Sequence, residues 1–154
     1  MRLANVINIL GWIICGCVAF APIAFPKPRQ FARRYYVILL IMSVILEIVR
    51  ISLAHLLPHE EWVMRPKDSP CKGFIPGLKF AYNGGMPSGH LAGTAFAFVL
   101  LYYAYPSVLT LFSLGVASII IFLFRFLARC HTPFQLVIGW IIGFVVAVAF
   151  HQST

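Results

Sequence analysis

The sequence predicts an all-α integral membrane protein, a bundle of about five transmembrane helices with its active site at one membrane face. Composition is the first observation: 61% of residues are hydrophobic and only 10% charged, with a mean hydropathy of +0.91. Ordinary soluble domains do not reach such values. The second is that several apolar runs approach the ~20 residues needed to cross a bilayer. The third is that no large polar block is left for a separate soluble domain, so chemistry must sit on loops and helix ends. The 154 residues suffice for one domain, predicted over 1–154.

The first apolar segment runs from about Leu3 to Phe25 with no charge after Arg2. Ala19-Phe20-Ala21 looks like a signal-peptide cleavage site, but the run is long for one and reads as a spanning helix. Pro26-Lys27-Pro28 breaks it. Lys27 to Arg34 is a short loop with four basic and no acidic residues, the pattern of a cytoplasmic loop. The second segment, about Tyr35 to Leu57, carries Glu47 and Arg50 three residues apart on one face, spaced for a structural ion pair. Arg50 is also within reach of the polar loop beyond.

That loop, Pro58 to Pro87, is about thirty residues long, unusual enough in a compact chain to imply function. It holds His59, Glu60, Glu61, Arg65, Lys67, Asp68 and Lys72. The third segment runs from Ser88 to about Tyr105, where Pro106 breaks it. The fourth runs from about Ser107 to Phe124, and the last from His131-Thr132-Pro133 to about Phe150. Counting sides alternately puts the N-terminus, the long loop and the Arg125–His131 corner on one face. Every candidate for chemistry falls on that face.

The net charge of +8 is spread over several loops rather than gathered in one patch. This argues against nucleic acid and for a bilayer plus an anionic substrate. Of the four cysteines, Cys15 and Cys17 lie inside an apolar run and read as small hydrophobes. Cys71 and Cys130 can pair if their side is oxidising; sequence leaves that open. No Cys/His spacing indicates zinc.

Gly84-Gly85-Met86-Pro87-Ser88-Gly89-His90 opens directly into an apolar run. Such a helix start points unpaired N–H groups outward with the helix dipole behind them, a ready anion site. The alternative is a simple N-cap at Ser88. Arg65, Ser88, His90, Arg125, Arg129 and His131 can meet at one membrane face. Guanidiniums with a helix N-terminus imply an oxyanion, most plausibly phosphate. Two histidines imply proton transfer or nucleophilic attack. Only Glu60, Glu61 and Asp68 supply carboxylates on this side, few for a two-metal phosphatase, so a mechanism without metal or cofactor is expected. No arginine follows Cys71 or Cys130 at the spacing a cysteine phosphatase needs, and there is no Walker-type loop.

Arg65-Pro66, then Pro87-Ser88-Gly89-His90, then Arg125 followed after five residues by His131, resemble the three signature motifs of the type 2 phosphatidic acid phosphatase superfamily. The resemblance covers roughly Ala54 to Gly143, a motif-bearing core of about 54–143. His131-Thr132-Pro133-Phe134-Gln135 with Gly139 looks most like the dolichyldiphosphatase branch. It implies that His131 is the nucleophile, that His90 protonates the leaving oxygen and then activates water, and that Arg65, Ser88, Gly89 and Arg125 hold the phosphoryl oxygens.

Three departures stand out. Pro58 occupies the position of the first motif's lysine, leaving Lys67, Lys72 or His59 to supply the charge. Gln135 replaces an aspartate; its amide oxygen can orient His131 or, with Thr132 and Pro133, form a capping box. The bundle is one helix short of the common six. Arg129 matches no motif position and reads as a lipid-headgroup contact. The expected activity is hydrolysis of a polyprenyl (dolichyl-type) diphosphate at a site facing the ER lumen or extracytoplasmic space. Phosphatidic acid or another lipid phosphate is the alternative substrate. A non-enzymatic protein binding anionic headgroups is the alternative of another class, and a vanadate-dependent haloperoxidase fits five spans poorly. Oligomeric state is not legible.

Overall fold

The computed structural model describes residues 6, 7, 9, 10, 13, 29–67, 69, 71 and 84–152, with the side chains of 29–32 excepted. Most of the first apolar segment lies outside them, as do Cys15, Cys17, Asp68, Lys72 and Lys79. Among the described residues the fold is all-helical: α1 (Arg29–Leu56), α2 (Gly89–Ala104), α3 (Val108–Leu127) and α4 (Pro133–Gln152). The only extended pairing among them is an isolated antiparallel bridge between Met64 and Gly84.

Three of the helices are long and apolar enough to cross a membrane: α1 over Arg33–Leu56, α3 and α4. Their outward faces carry large apolar side chains such as Leu40, Ile48, Phe112, Ile119 and Val145, all more than half exposed. That pattern is compatible with lipid around the bundle and costly in water. Helix α2, with 16 residues, spans about 24 Å at ~1.5 Å per residue, less than the ~30 Å of a hydrocarbon core. It is apolar on every side and accordingly the most enclosed helix, with Leu91, Ala92, Thr94, Ala95, Phe96, Ala97 and Leu100 buried.

One boundary differs from expectation. Helix α1 begins at Arg29, not Tyr35, so Arg33 and Arg34 are helical rather than part of a loop. Nothing after Pro28 breaks a helix, and Gln, Ala and Arg are good helix formers. The basic residues of this end thus ride on the helix itself. At the other end, α3 reaches Leu127, placing Arg125 in its last turn. Ser107 caps the start of α3, its hydroxyl accepting from the Thr110 N–H at 3.0 Å.

Helices α2 and α4 form the tightest pair. A side chain added at Gly139 would collide with the Ser88 backbone, and one at Gly143 with the Ala92 backbone. With the buried Ala147 one turn further, these residues make a small-xxx-small stripe that lets two helices approach closely. Replacing Gly143 with leucine is expected to push α2 off α4 and destabilise the bundle by about 3 kcal/mol or more. A fall in the thermal midpoint of detergent-solubilised protein would report it.

Ile7 packs against Cys71, Ala128 and Cys130. Ile7 therefore lies at the same end of the bundle as Cys71 and the α3–α4 corner. Glu47 and Arg50 form the expected i,i+3 ion pair.

Candidate active site

The site lies where the long loop, the start of α2 and the α3–α4 corner converge. Its floor is built by backbone. Val63 is fully buried, and its carbonyl accepts from the N–H groups of Gly85 (2.8 Å) and Met86 (3.1 Å). These bonds lay residues 84–87 against residues 62–64 and feed the chain into α2.

Arg65 is fixed from two directions. Its Nε donates to the Gly84 carbonyl at 2.9 Å, and its Nη1 to the Cys71 carbonyl at 2.6 Å. Arg50, only 5% exposed, also donates to the Gly84 carbonyl, at 3.4 Å. Burial first, then the Arg50 and Arg125 guanidiniums, push Arg65 down to about 9 from the usual arginine range. It remains a cation at neutral pH, held where positive charge is costly. An incoming dianion relieves that cost.

Ser88 occupies the N-cap position of α2, yet its side chain makes no capping bond. The residue is completely buried, and its Oγ has no hydrogen-bond partner among the described residues. A buried, unmatched hydroxyl at a helix start fits a ligand site better than a cap. Gly89 follows, exposed and with open space where a side chain would be, so a ligand can reach the first backbone N–H groups of α2.

Arg125 and His131 are placed by the end of α3. The Arg129 N–H bonds to the Phe126 carbonyl (2.8 Å) and the Cys130 N–H to the Arg125 carbonyl (3.0 Å), the two bonds of a Schellman turn. Arg129 takes the left-handed position, φ 54°, where glycine is usual and another residue costs about 1–2 kcal/mol. The five residues between Arg125 and His131 are therefore the last helical turn plus this reversal. Arg125 and His131 are only 2% and 3% exposed.

His131 Nδ1 lies 2.9 Å from the Gly85 carbonyl oxygen. A carbonyl only accepts, so Nδ1 carries the proton and Nε2 keeps its lone pair. Burial, then Arg65, Arg125 and His90, hold the imidazole well below its usual 6.5, against a smaller opposing effect of the Gly85 bond. His131 is thus neutral at neutral pH, with the Nε2 lone pair unprotonated. Burial of this imidazole also makes stability depend on pH. As pH falls below about 6.5 the unfolded chain takes up this proton first, so the contribution is whole above 6.5 and is lost below it. Thermal midpoints measured from pH 7.5 down to pH 5 are expected to fall, with a smaller fall in a His131→Gln variant.

Of the two roles left open for Gln135, its hydrogen bonds take the capping one. Its Oε1 accepts from the Thr132 N–H at 3.1 Å, while the Gln135 N–H reaches Thr132 Oγ1 at 3.4 Å, the reciprocal bonds of a capping box. Its Nε2 donates to the carbonyls of Trp62 (3.0 Å) and Met64 (2.7 Å). The group that orients His131 is Gly85, which the motifs do not mark. Gln135 packs directly against Gly85, where an added side chain would collide with its carboxamide. The paired glycines 84 and 85 were the only available signal.

Two recesses adjoin the site. A cavity of about 960 Å³ is lined by residues including His59, Arg65, Lys67 and Thr132, so two of the three groups expected to replace the lysine lost at Pro58 line it together with Arg65. On the helical side, a groove of about 200 Å³ is lined by Leu91, Phe122, Trp140 and Ser118. Leu91 directly follows His90. The electrostatic neighbours of His131 are Arg65, Arg125 and His90, so the residues of all three motifs share one site.

A family model described as the PAP2 superfamily matches residues 31–154. The chain belongs to the PAP2 superfamily. No curated protein and no solved structure matches it. The PAP2 superfamily includes phosphatases, so a hydrolase acting on phosphate is the class of enzyme to which the family points. The matched region begins within the first turn of α1 and contains α2 to α4 and every motif residue named above.

Proposed function

We propose that this PAP2 protein is a membrane-embedded lipid phosphatase that hydrolyses a polyprenyl diphosphate, of dolichyl type, to the monophosphate and inorganic phosphate. The observation that carries the reading is the tautomer of His131: with Nδ1–H tied to the Gly85 carbonyl, the Nε2 lone pair is available beside Arg65 and Arg125. Nε2 attacks the terminal phosphorus and the bond to the bridging oxygen breaks. His90 supplies the proton to the departing lipid phosphate. His90 then takes a proton from water, whose oxygen displaces His131 and releases phosphate. Arg65, Ser88, the Gly89 N–H and Arg125 hold the equatorial oxygens, where charge develops.

The apolar groove lined by Leu91, Phe122 and Trp140 supports a hydrocarbon substituent on the substrate, Leu91 being the residue that follows His90 in α2. The diphosphate preference rests on the His131–Gln135 sequence and its likeness to the dolichyldiphosphatase branch. Two observations support a site facing the lumen or extracytoplasmic space. The basic start of α1, with Arg33 and Arg34, lies at the helix end opposite the site, as cytoplasmic ends do. The Cys71–Cys130 disulfide belongs to an oxidising compartment.

Purified protein in lipid–detergent micelles, given polyprenyl diphosphates or phosphatidic acid in excess chelator, tests this. The expected result is phosphate release from both, with kcat/KM favouring the diphosphate. A preference for phosphatidic acid would move the substrate to the alternative. Loss of turnover on chelation would remove the metal-free mechanism, and binding without turnover would make the protein a headgroup-binding one.

A further inference from the structure

Cys71 and Cys130 are joined by a disulfide that spans 59 residues of sequence, with Cα atoms 5.2 Å apart. Both are buried. On one side of the bond, the Cys71 carbonyl is an acceptor for Arg65, at 2.6 Å. On the other, Cys130 immediately precedes His131, and its N–H closes the turn onto the Arg125 carbonyl. The bond therefore connects the backbone that aims one phosphate-binding guanidinium to the backbone that carries the nucleophile and the other guanidinium.

We propose that the Cys71–Cys130 pair is a positioning element of the reaction, holding Arg65 opposite His131. This rests on the phosphatase reading above. Residues 62–64 are tied to Gly85, Met86 and Gln135, but among the described residues past Arg65 the backbone N–H bonds are local, from Ser69 to the Pro66 carbonyl and from Cys71 to Ser69 Oγ. Without the disulfide, Arg65 keeps its Gly84 bond, but its second acceptor is no longer tied to the α3–α4 corner. The guanidinium can then turn about the remaining bond. A displacement of about 1 Å between a binding group and the reacting atoms is worth on the order of 100-fold in rate.

A double-mutant cycle provides the test, with Cys71→Ala/Cys130→Ala and Arg65→Lys made separately and together. The oxidised wild type must release phosphate from a polyprenyl diphosphate; if it does not, the phosphatase reading falls first. Given that activity, the alanine pair is expected to lower kcat/KM about 10- to 100-fold. Arg65→Lys should then cost much less in the alanine background than in the wild type. Additive losses, or an alanine pair as active as the wild type, would overturn the proposal, because a disulfide that only stabilises the fold is not coupled to Arg65.

Should the alanine pair not fold, dithiothreitol titration of the folded wild type decides instead. Two dithiothreitol thiols are oxidised to a cyclic disulfide while Cys71 and Cys130 are reduced to thiols. Activity falling in step with free thiols, ahead of any unfolding signal, and restored on reoxidation supports the proposal. Activity kept with both thiols free, or lost only together with the fold, overturns it.

Discussion

His131→Ala is expected to abolish turnover, lowering kcat by at least about 10⁴-fold, while the protein still binds the lipid phosphate. The magnitude follows from removing the atom that forms the covalent intermediate, a loss that the remaining donors cannot replace. The imidazole does little for the fold beyond one bond to the Gly85 carbonyl, so the variant should remain folded. Rapid quench with a terminally labelled diphosphate gives the second readout. Wild type should show a burst of acid-labile, base-stable label on the protein, and His131→Ala none. His90→Ala should accumulate that label or lose the burst, depending on which step its proton limits, and either result leaves the nucleophile at His131. Full activity in His131→Ala would end the mechanism.

Arg125→Met should give the second largest effect, a fall in kcat/KM of about 10²- to 10³-fold, the usual loss for one preorganised donor to developing charge. Arg125 is nearly completely buried and its field is one of the influences lowering Arg65. Positive charge in this pocket is therefore stabilised when a dianion enters. In the wild type, vanadate or inorganic phosphate at 100 times its dissociation constant should raise stability by about 2.7 kcal/mol. The variant should need far more anion for the same rise. If Arg125→Met keeps both the activity and the anion response, Arg125 is structural and the phosphate is held elsewhere. Methionine is chosen because it fills much of the arginine volume, which keeps the packing beside Ile121 intact.

Much of the site was legible because its parts are covalently short-range. The Pro87–His90 stretch names a helix start, and the Arg125–His131 spacing suits a helix end followed by a reversal, so both could be read from residue types and intervals. Ser88 shows the limit of such reading. Sequence left it between cap and ligand group; the structure shows a buried hydroxyl that caps nothing. Gln135 shows the opposite failure. Both of its possible roles were visible, but which acceptor reaches His131 depends on Gly85, 46 residues away. No local pattern encodes that distance. Likewise, the helix starts at Arg29 where the cluster of charge suggests a loop, because a helix running past the hydrocarbon into the headgroup region carries charge without penalty.

The sequence by itself determined that the described segments are apolar helices, three of them long enough to cross a bilayer, because in lipid such runs can satisfy their backbone only as helices. It also determined the inventory of the chemistry, two histidines and several arginines without enough carboxylates for a pair of metals. Tertiary structure alone decided which backbone atoms those side chains use. The Gly85 carbonyl selects the His131 tautomer, the Gly84 and Cys71 carbonyls aim Arg65, and Gly139 and Gly143 set how closely α2 meets α4. Carbonyl and N–H groups are the same at every residue, so only the folded path of the chain distinguishes the ones that matter.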